Sequence, residues 1–425
     1  MASVEIRHSK ISGTITCPPS KSYTHRAIAI ASLADGESTV SNVLLSRDNW
    51  ATIDGCKTLG SQLTQQGRTF AIVGRSKFDA GDREINAENS GTTIRLMIAM
   101  SALVESGKTT LTGDESLRKR PMQPLLDALK KLGVESTSTN GRPPVVVKGG
   151  GIKGGNTEIN GSVSSQFISA LLISCIYADK DVEIEVRGEQ VSKPYIDATI
   201  ATMQKFGASI ENDYYMHYKI KQQQYKPAKF VVPADFSSAA MMLAAGALTG
   251  NITVEGLNFE LPQADAKIAD ILHDMGVYIK MDKAKGSISV EAPEKLEGDT
   301  FNLQNTPDLL PVVSVLALKA KNRVTIKGVA HARVKETDRI ANIAAELKKL
   351  GAEVEEFEDG LSISVKDKLK NASLNAYDDH RLFMAFCLAS LLTERCVVDG
   401  LESVDVSYPD FVDDLRRLGA NIAKS

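Results

Sequence analysis

Cysteine is scarce: Cys17, Cys56, Cys175, Cys387 and Cys396 are scattered and odd in number over 425 residues. No two stand at metal-ligand spacing, which argues against a zinc site and against a disulfide framework. Cys175, Cys387 and Cys396 lie in apolar runs and are expected to be small buried hydrophobes. An excess of one charge is missing too. Fifty Lys and Arg stand against 53 Asp and Glu, a formal net charge of -3. That balance argues against a protein that binds nucleic acid through a broad basic surface, while leaving room for a small positive pocket for an anionic metabolite. No apolar run approaches about 20 residues without polar interruption, so no membrane-spanning helix is expected. Met1 to Ile15 carries no apolar signal core and reads as one charged strand. A cytoplasmic protein is expected.

Repetition is what the chain has instead. Its length exceeds one ordinary core and suggests two or three domains. The 43% hydrophobic and 24% charged residues fit a soluble globular protein. One helix-ending signature occurs six times: Lys57-Thr-Leu-Gly60, Lys130-Lys-Leu-Gly133, Gln204-Lys-Phe-Gly207, His273-Asp-Met-Gly276, Lys348-Lys-Leu-Gly351 and Arg416-Arg-Leu-Gly419. A long polar side chain, an apolar residue and then Gly mark an amphipathic helix stopped by a left-handed glycine, with a strand after it. Between these signatures lie six strongly apolar helices, opening at or near Ser22, Ser90, Ser165, Phe236, Asp308 and Asp379. Both series step by roughly 70 residues, so six βαβαββ-like units account for the chain.

Helices apolar on nearly all sides belong inside a larger body. The expected fold is therefore α/β (of the α+β type): a two-domain inside-out barrel of six βαβαββ repeats, three per domain, with buried helices inside and sheets outside. Pro18-Pro19 and Pro233 mark the crossings. They delimit a discontinuous domain, 1–18 plus 234–425, in which the first strand joins the three C-terminal repeats, and an inserted domain, 19–233. A repeat scaffold alone does not make an enzyme, and a duplicated binding or structural protein would show the same pattern.

Chemistry concentrates at the helix openings, where free N–H groups and the helix dipole attract anions. Three openings also carry cations: Lys21-Ser22-Tyr-Thr-His25-Arg26, Asn89-Ser-Gly91-Thr92-Thr-Ile-Arg95 and Asp378-Asp-His380-Arg381. A cation in the first turn opposes the dipole unless a bound anion satisfies both. Taken singly, each is more often a solvated or paired charge; three together favour an anion site. Ser164-Ser165-Gln166 reads as a serine cap or as a phosphate cradle. Asp308 reads as a cap or as a general base. Glu336 and Arg339 stand one turn apart, and spacing alone favours a surface ion pair worth under about 1 kcal/mol. Leu117-Arg-Lys-Arg-Pro121 reads as a solvated basic turn.

Assembled in order, these segments make the chain resemble the enolpyruvyl transferase family over essentially its full length. The resemblance rests on Pro19-Ser-Lys-Ser-Tyr-Thr-His-Arg26, Asn89-Ser-Gly-Thr-Thr-Ile-Arg95, Arg118-Lys-Arg-Pro121 and Ser164-Ser-Gln166. It continues through Val191-Ser-Lys-Pro-Tyr195, Pro307-Asp308, Arg333-Val-Lys-Glu-Thr-Asp-Arg339 and Asp379-His-Arg381. It implies two domains that close on substrates, and transfer of the enolpyruvyl group of phosphoenolpyruvate to the 5-hydroxyl of shikimate-3-phosphate by addition and elimination. It implies that shikimate-3-phosphate is held by Lys21, Ser22, Arg26, Ser164, Ser165, Gln166, Ser192, Tyr195, Asp308 and Lys335. Phosphoenolpyruvate falls to Lys21, Gly91, Arg120, Gln166, Arg339 and Arg381. Asp308 takes the hydroxyl proton, and Glu336 or Lys21 protonates the methylene. No metal or organic cofactor is implied, and a monomer is expected.

Two positions depart from the common bacterial pattern of that family. His331 stands where an Asn often helps hold the shikimate phosphate, and Val406 where many members place a lysine near phosphoenolpyruvate. Gly91 is present where a larger residue would crowd that pocket, so the resemblance implies sensitivity to glyphosate. Members acting on UDP-N-acetylglucosamine usually carry a reactive Cys near the position of Arg120, and Ser116 to Leu125 contains none. The related fold of RNA phosphate cyclases would need a basic RNA surface, which the net charge does not supply.

Overall fold

Each of the six glycine signatures closes a helix. The helices Arg47–Leu59, Gln123–Lys131, Lys193–Lys205, Ile268–Asp274, Arg339–Lys349 and Phe411–Arg417 are followed by Gly60, Gly133, Gly207, Gly276, Gly351 and Gly419. All six glycines have positive φ, from 80° to 118°, a conformation that costs a side chain bearing Cβ about 1–2 kcal/mol. A strand then begins within a few residues each time, as Gln62–Gln66 follows Gly60. The fifth helix opens at Arg339, one residue before the apolar stripe at Ile340, because the Asp338 side chain accepts from Ala341 N and caps it there.

The computed structural model describes residues 2–424, which divide into two compact units. One comprises the chain through Pro18 and everything from Ala234 onward; the other runs from Pro19 to Pro233. Among the described residues six four-stranded sheets, three in each unit, share one plan: a parallel pair, then two antiparallel neighbours. This is a mixed α/β fold. In the Pro19–Pro233 unit the last strand, Lys229–Val231, returns to pair in parallel with Gly36–Ser41.

The N-terminal segment corrects one expectation. Instead of one charged strand there are two, Ser3–Arg7 and Ser12–Thr16, which enter different sheets. Ser3–Arg7 lies antiparallel between Arg395–Asp399 and Asn421–Lys424, with Val4 opposite Val398 and Ile6 opposite Cys396. Ser12–Thr16 pairs in parallel with Asn251–Glu255. Alternation explains the first strand, since Val4 and Ile6 are buried while Arg7 is exposed.

Six apolar helices supply the cores: Lys21–Leu33, Gly91–Ser101 and Ser165–Cys175 in one unit, and Phe236–Thr249, Leu310–Leu316 and His380–Ser390 in the other. The last three pack on one another. In the first three, the residues that are not buried are Lys21, Ser22, Thr92 and Gln166, all at the openings. All five cysteines are buried, Cys17 and Cys56 included. No helix among the described residues is long and apolar enough to cross a membrane.

Candidate active site

The Pro19–Pro233 unit gathers its candidate residues at helix openings, with Arg120 supplied by the turn Leu117–Lys119. Ser20 caps the Lys21–Leu33 helix, and Lys21 Nζ lies 3.2 Å from Asp48 Oδ2, itself in the first turn of Arg47–Leu59. One turn on, buried Arg26 donates to Thr199 Oγ1 at 2.8 Å and to the carbonyls of Ser22 and Tyr195, both at 3.0 Å. Those acceptors are uncharged, and burial draws the guanidinium down to about 10, still cationic at neutral pH. Arg26 thus ties Ser22 to half-buried Tyr195. Buried Ser192 opens the next helix with φ 57° and ψ 38°, a left-handed geometry that a serine adopts only under constraint.

Gly91 begins the second buried helix, behind the Ser90 cap. A Cβ placed on it would lie 2.9 Å from Nη1 of both Arg95 and Arg120, so the missing side chain is what lets two guanidiniums converge. Arg120 Nη2 donates to Asn89 Oδ1 at 3.0 Å. Arg95 donates to Gln166 Oε1 and lies over the Phe167 ring, 5.0 Å from its centroid. Gln166 Nε2 donates to Thr92 Oγ1 at 3.0 Å, joining the open positions of two helices. Ser164 accepts from Gln166 N at 3.3 Å as a cap, and Ser165 is buried behind it. Lys21, Ser22, Arg26, Gly91, Arg120, Ser164, Ser165, Gln166, Ser192 and Tyr195 therefore all lie in this unit, most of them linked by the contacts above. Within the basic turn, Arg118 and Lys119 are exposed as expected but Arg120 is buried, which corrects the reading of a wholly solvated segment.

The other unit gathers Asp308, Lys335, Glu336, Arg339 and Arg381. Asp308 lies within the turn Pro307–Leu309, and the cap positions of that turn and of the helix Leu310–Leu316 fall to Thr306 and Leu309, which corrects the placing of Asp308 as a cap. Its Oδ1 accepts from Arg339 Nη1 and its Oδ2 from Arg381 Nη2, both at 2.9 Å. Burial would raise this carboxyl, but Arg381, Lys335 and Arg339 outweigh it and hold it well below the usual carboxylate range. Arg339 is 1% exposed and contacts three carboxylates: Asp308, Glu336 at 2.9 Å and Asp379 at 2.7 Å. The Glu336–Arg339 pair expected from spacing exists, but its arginine is buried and its glutamate half-buried, so it is not a surface pair. Asp379 is fully buried, caps the His380–Ser390 helix and accepts from Arg381 N at 2.8 Å. It therefore sets both arginines at once.

Burial first, then the nearby Lys335, holds His331 down to about 4, so its ring is neutral at physiological pH, with Nε2 making no hydrogen bond to protein. Val406 is buried. Three residues that sequence reasoning missed belong to these clusters: Arg95, Asp48 and Asp379. Arg95 and Asp379 lie inside the helix-opening motifs, so their sequence signal was present; Asp48 has none.

Buried helices whose openings hold converging arginines, and a carboxylate clamped by two more, define a class: a mixed α/β enzyme built to handle compact anionic metabolites. The comparisons are specific. A family model described as EPSP synthase (3-phosphoshikimate 1-carboxyvinyltransferase) matches residues 6–415. A 3-phosphoshikimate 1-carboxyvinyltransferase of Nitrosopumilus maritimus is 50% identical over 420 residues, 98% of this chain and 99% of that protein. The one from Methanocaldococcus jannaschii is 42% identical over 418 residues, 97% of each. The structure of EPSP synthase from Acinetobacter baumannii superposes with a TM-score of 0.82 at 25% identity, covering all of both chains. This chain belongs to the EPSP synthase family, transferases of the shikimate pathway.

Proposed function

We propose that the chain transfers the enolpyruvyl group of phosphoenolpyruvate to the 5-hydroxyl of shikimate-3-phosphate, with the two clusters as its machinery. The observation that carries the residue assignment is Asp308, held between Arg339 and Arg381 at 2.9 Å on each side. A carboxylate so paired is a poor base. An anion that takes over Arg339 and Arg381 relieves Asp308 of two cations and raises its proton affinity just when the hydroxyl must be deprotonated. Phosphoenolpyruvate is that anion, gripped by Arg339 and Arg381 together with Lys21, Gly91, Arg120 and Gln166.

Shikimate-3-phosphate falls to Ser22, Arg26, Ser164, Ser165, Gln166, Ser192 and Tyr195, with Lys21, Lys335 and Asp308. The hydroxyl oxygen adds to the central carbon of phosphoenolpyruvate while the methylene gains a proton from Glu336 or Lys21. The tetrahedral adduct then loses a methyl proton and inorganic phosphate, restoring the double bond on the product. Charge-assisted hydrogen bonds of about 1.5–3 kcal/mol each explain why several Lys and Arg are needed to hold two phosphates and a carboxylate.

The six sheets of common plan support a further part of this reading: six βαβαββ repeats, three per unit, arranged as inside-out barrels. The reading also takes the enzyme to be a cytoplasmic monomer. Phosphate release from phosphoenolpyruvate tests the reaction. It is expected only in the presence of shikimate-3-phosphate, to slow with millimolar glyphosate, and to collapse by orders of magnitude in Asp308→Ala. Release indifferent to the acceptor, or undiminished in the variant, overturns the assignment.

A further inference from the structure

Asp265 is a buried carboxyl within electrostatic reach of Asp308 and Arg381, with no part in the reaction above. It lies in the turn Ala264–Lys267 and is 2% exposed. Its Oδ2 accepts from Ser237 Oγ, and its Oδ1 has no hydrogen-bond partner. Ser237 stands in the first turn of Phe236–Thr249, the one position of that turn that is not buried. The charged groups acting on Asp265 come from three elements: Asp308 from its turn, Arg381 from the His380–Ser390 helix, and Asp235, the cap of Phe236–Thr249. On its own turn, Lys267 is turned outward to Asp270 at 2.9 Å.

A buried carboxylate needs several donors or a cation of its own. Asp265 has one hydroxyl. Arg381 is already paired with Asp308, and Asp308 and Asp235 both repel a further negative charge. Burial, then Asp308, push the Asp265 carboxyl up to about 7, outweighing the help of Arg381 and Ser237.

We propose that Asp265 is a positioning residue that holds a proton in the resting enzyme and so keeps Arg381 available to phosphoenolpyruvate; its ionisation sets a competing negative charge beside Arg381 and weakens capture of that anion. The proposal rests on the assignment of Arg381 to phosphoenolpyruvate. Asparagine mimics the protonated acid and cannot ionise. The ratio of wild-type to Asp265→Asn kcat/KM for phosphoenolpyruvate, from about pH 6 to about pH 9, isolates this one group because substrate ionisations cancel. The ratio is expected near unity at the acid end and to fall about fivefold or more at the alkaline end, with the loss in KM rather than kcat. A flat ratio overturns the proposal.

Two further measurements keep the test decisive. Ser237→Ala removes the hydroxyl donor that favours the carboxylate, so the alkaline loss is expected to begin at higher pH; an unmoved midpoint counts against the proposal. Stability needs no substrate. An unfolded Asp titrates near pH ~4, so the folded chain holds an extra proton between there and about pH 7. Wild type is therefore expected to lose stability relative to Asp265→Asn as pH rises through that window. Parallel curves would show that no proton is held. Diverging curves with a flat kinetic ratio would keep the proton but remove Arg381 from phosphoenolpyruvate, overturning the assignment on which the proposal rests.

Discussion

Arg339 shows how far burial changes the worth of a charge. Spacing alone made its pair with Glu336 a minor surface contact of under about 1 kcal/mol. At 1% exposure, with three carboxylates on one guanidinium, removing a partner such as Asp379 is instead a loss of about 3–5 kcal/mol, because a buried charge is left uncompensated. Gly91 is the converse case, a residue that acts through what it lacks. Alanine there would press a Cβ to 2.9 Å from both Arg95 and Arg120, and the guanidiniums would have to move. Overpacking costs about 1–3 kcal/mol, and about 1.4 kcal/mol is a factor of ten. Gly91→Ala is expected to raise KM for phosphoenolpyruvate about tenfold or more with a much smaller change in kcat. Steady-state kinetics with an unchanged KM would remove Gly91 from that pocket.

At the scale of elements, one helix-and-cap device is used six times. Its glycine is required by conformation rather than by crowding, and Gly60 separates the two. It has φ 118°, and a Cβ there would meet nothing within 4 Å. Gly60→Ala is therefore expected to cost about 1–2 kcal/mol through backbone strain alone, read as a lower urea midpoint at an unchanged m-value, with full activity. Loss of activity without loss of stability would contradict the view that this glycine only ends a helix. The buried helices follow a second rule. The few residues they leave open lie mostly in the first turn, where N–H groups are unsatisfied, and there the candidate site residues gather. Both rules were legible from sequence because each depends on neighbours within a turn or two.

At the scale of the molecule, the two units differ in how the chain builds them. Residues 19–233 are continuous, and their ends meet: Ser20 N donates to Pro233 O at 2.7 Å, and Lys229–Val231 pairs with Gly36–Ser41. Expressed alone, this segment is expected to fold and melt cooperatively by circular dichroism and calorimetry, whereas a broad non-cooperative trace would refute its independence. The other unit cannot be made from 234–424 alone with its sheets intact, because Ser3–Arg7 is an inner strand between two C-terminal ones. By itself the sequence determined the glycine-capped helices, the apolar helices between them and the basic and acidic motifs at helix openings, since periodicity and first-turn chemistry are local. Only the tertiary structure decided that Asp379 holds Arg339 from 40 residues away, that Asp48 meets Lys21, and that Gly91 makes room for two arginines. It also split the N-terminal strand between two sheets and buried Asp265 against Ser237. Those outcomes depend on which distant segments pack together and on how little water remains between them, and no spacing along the chain encodes either.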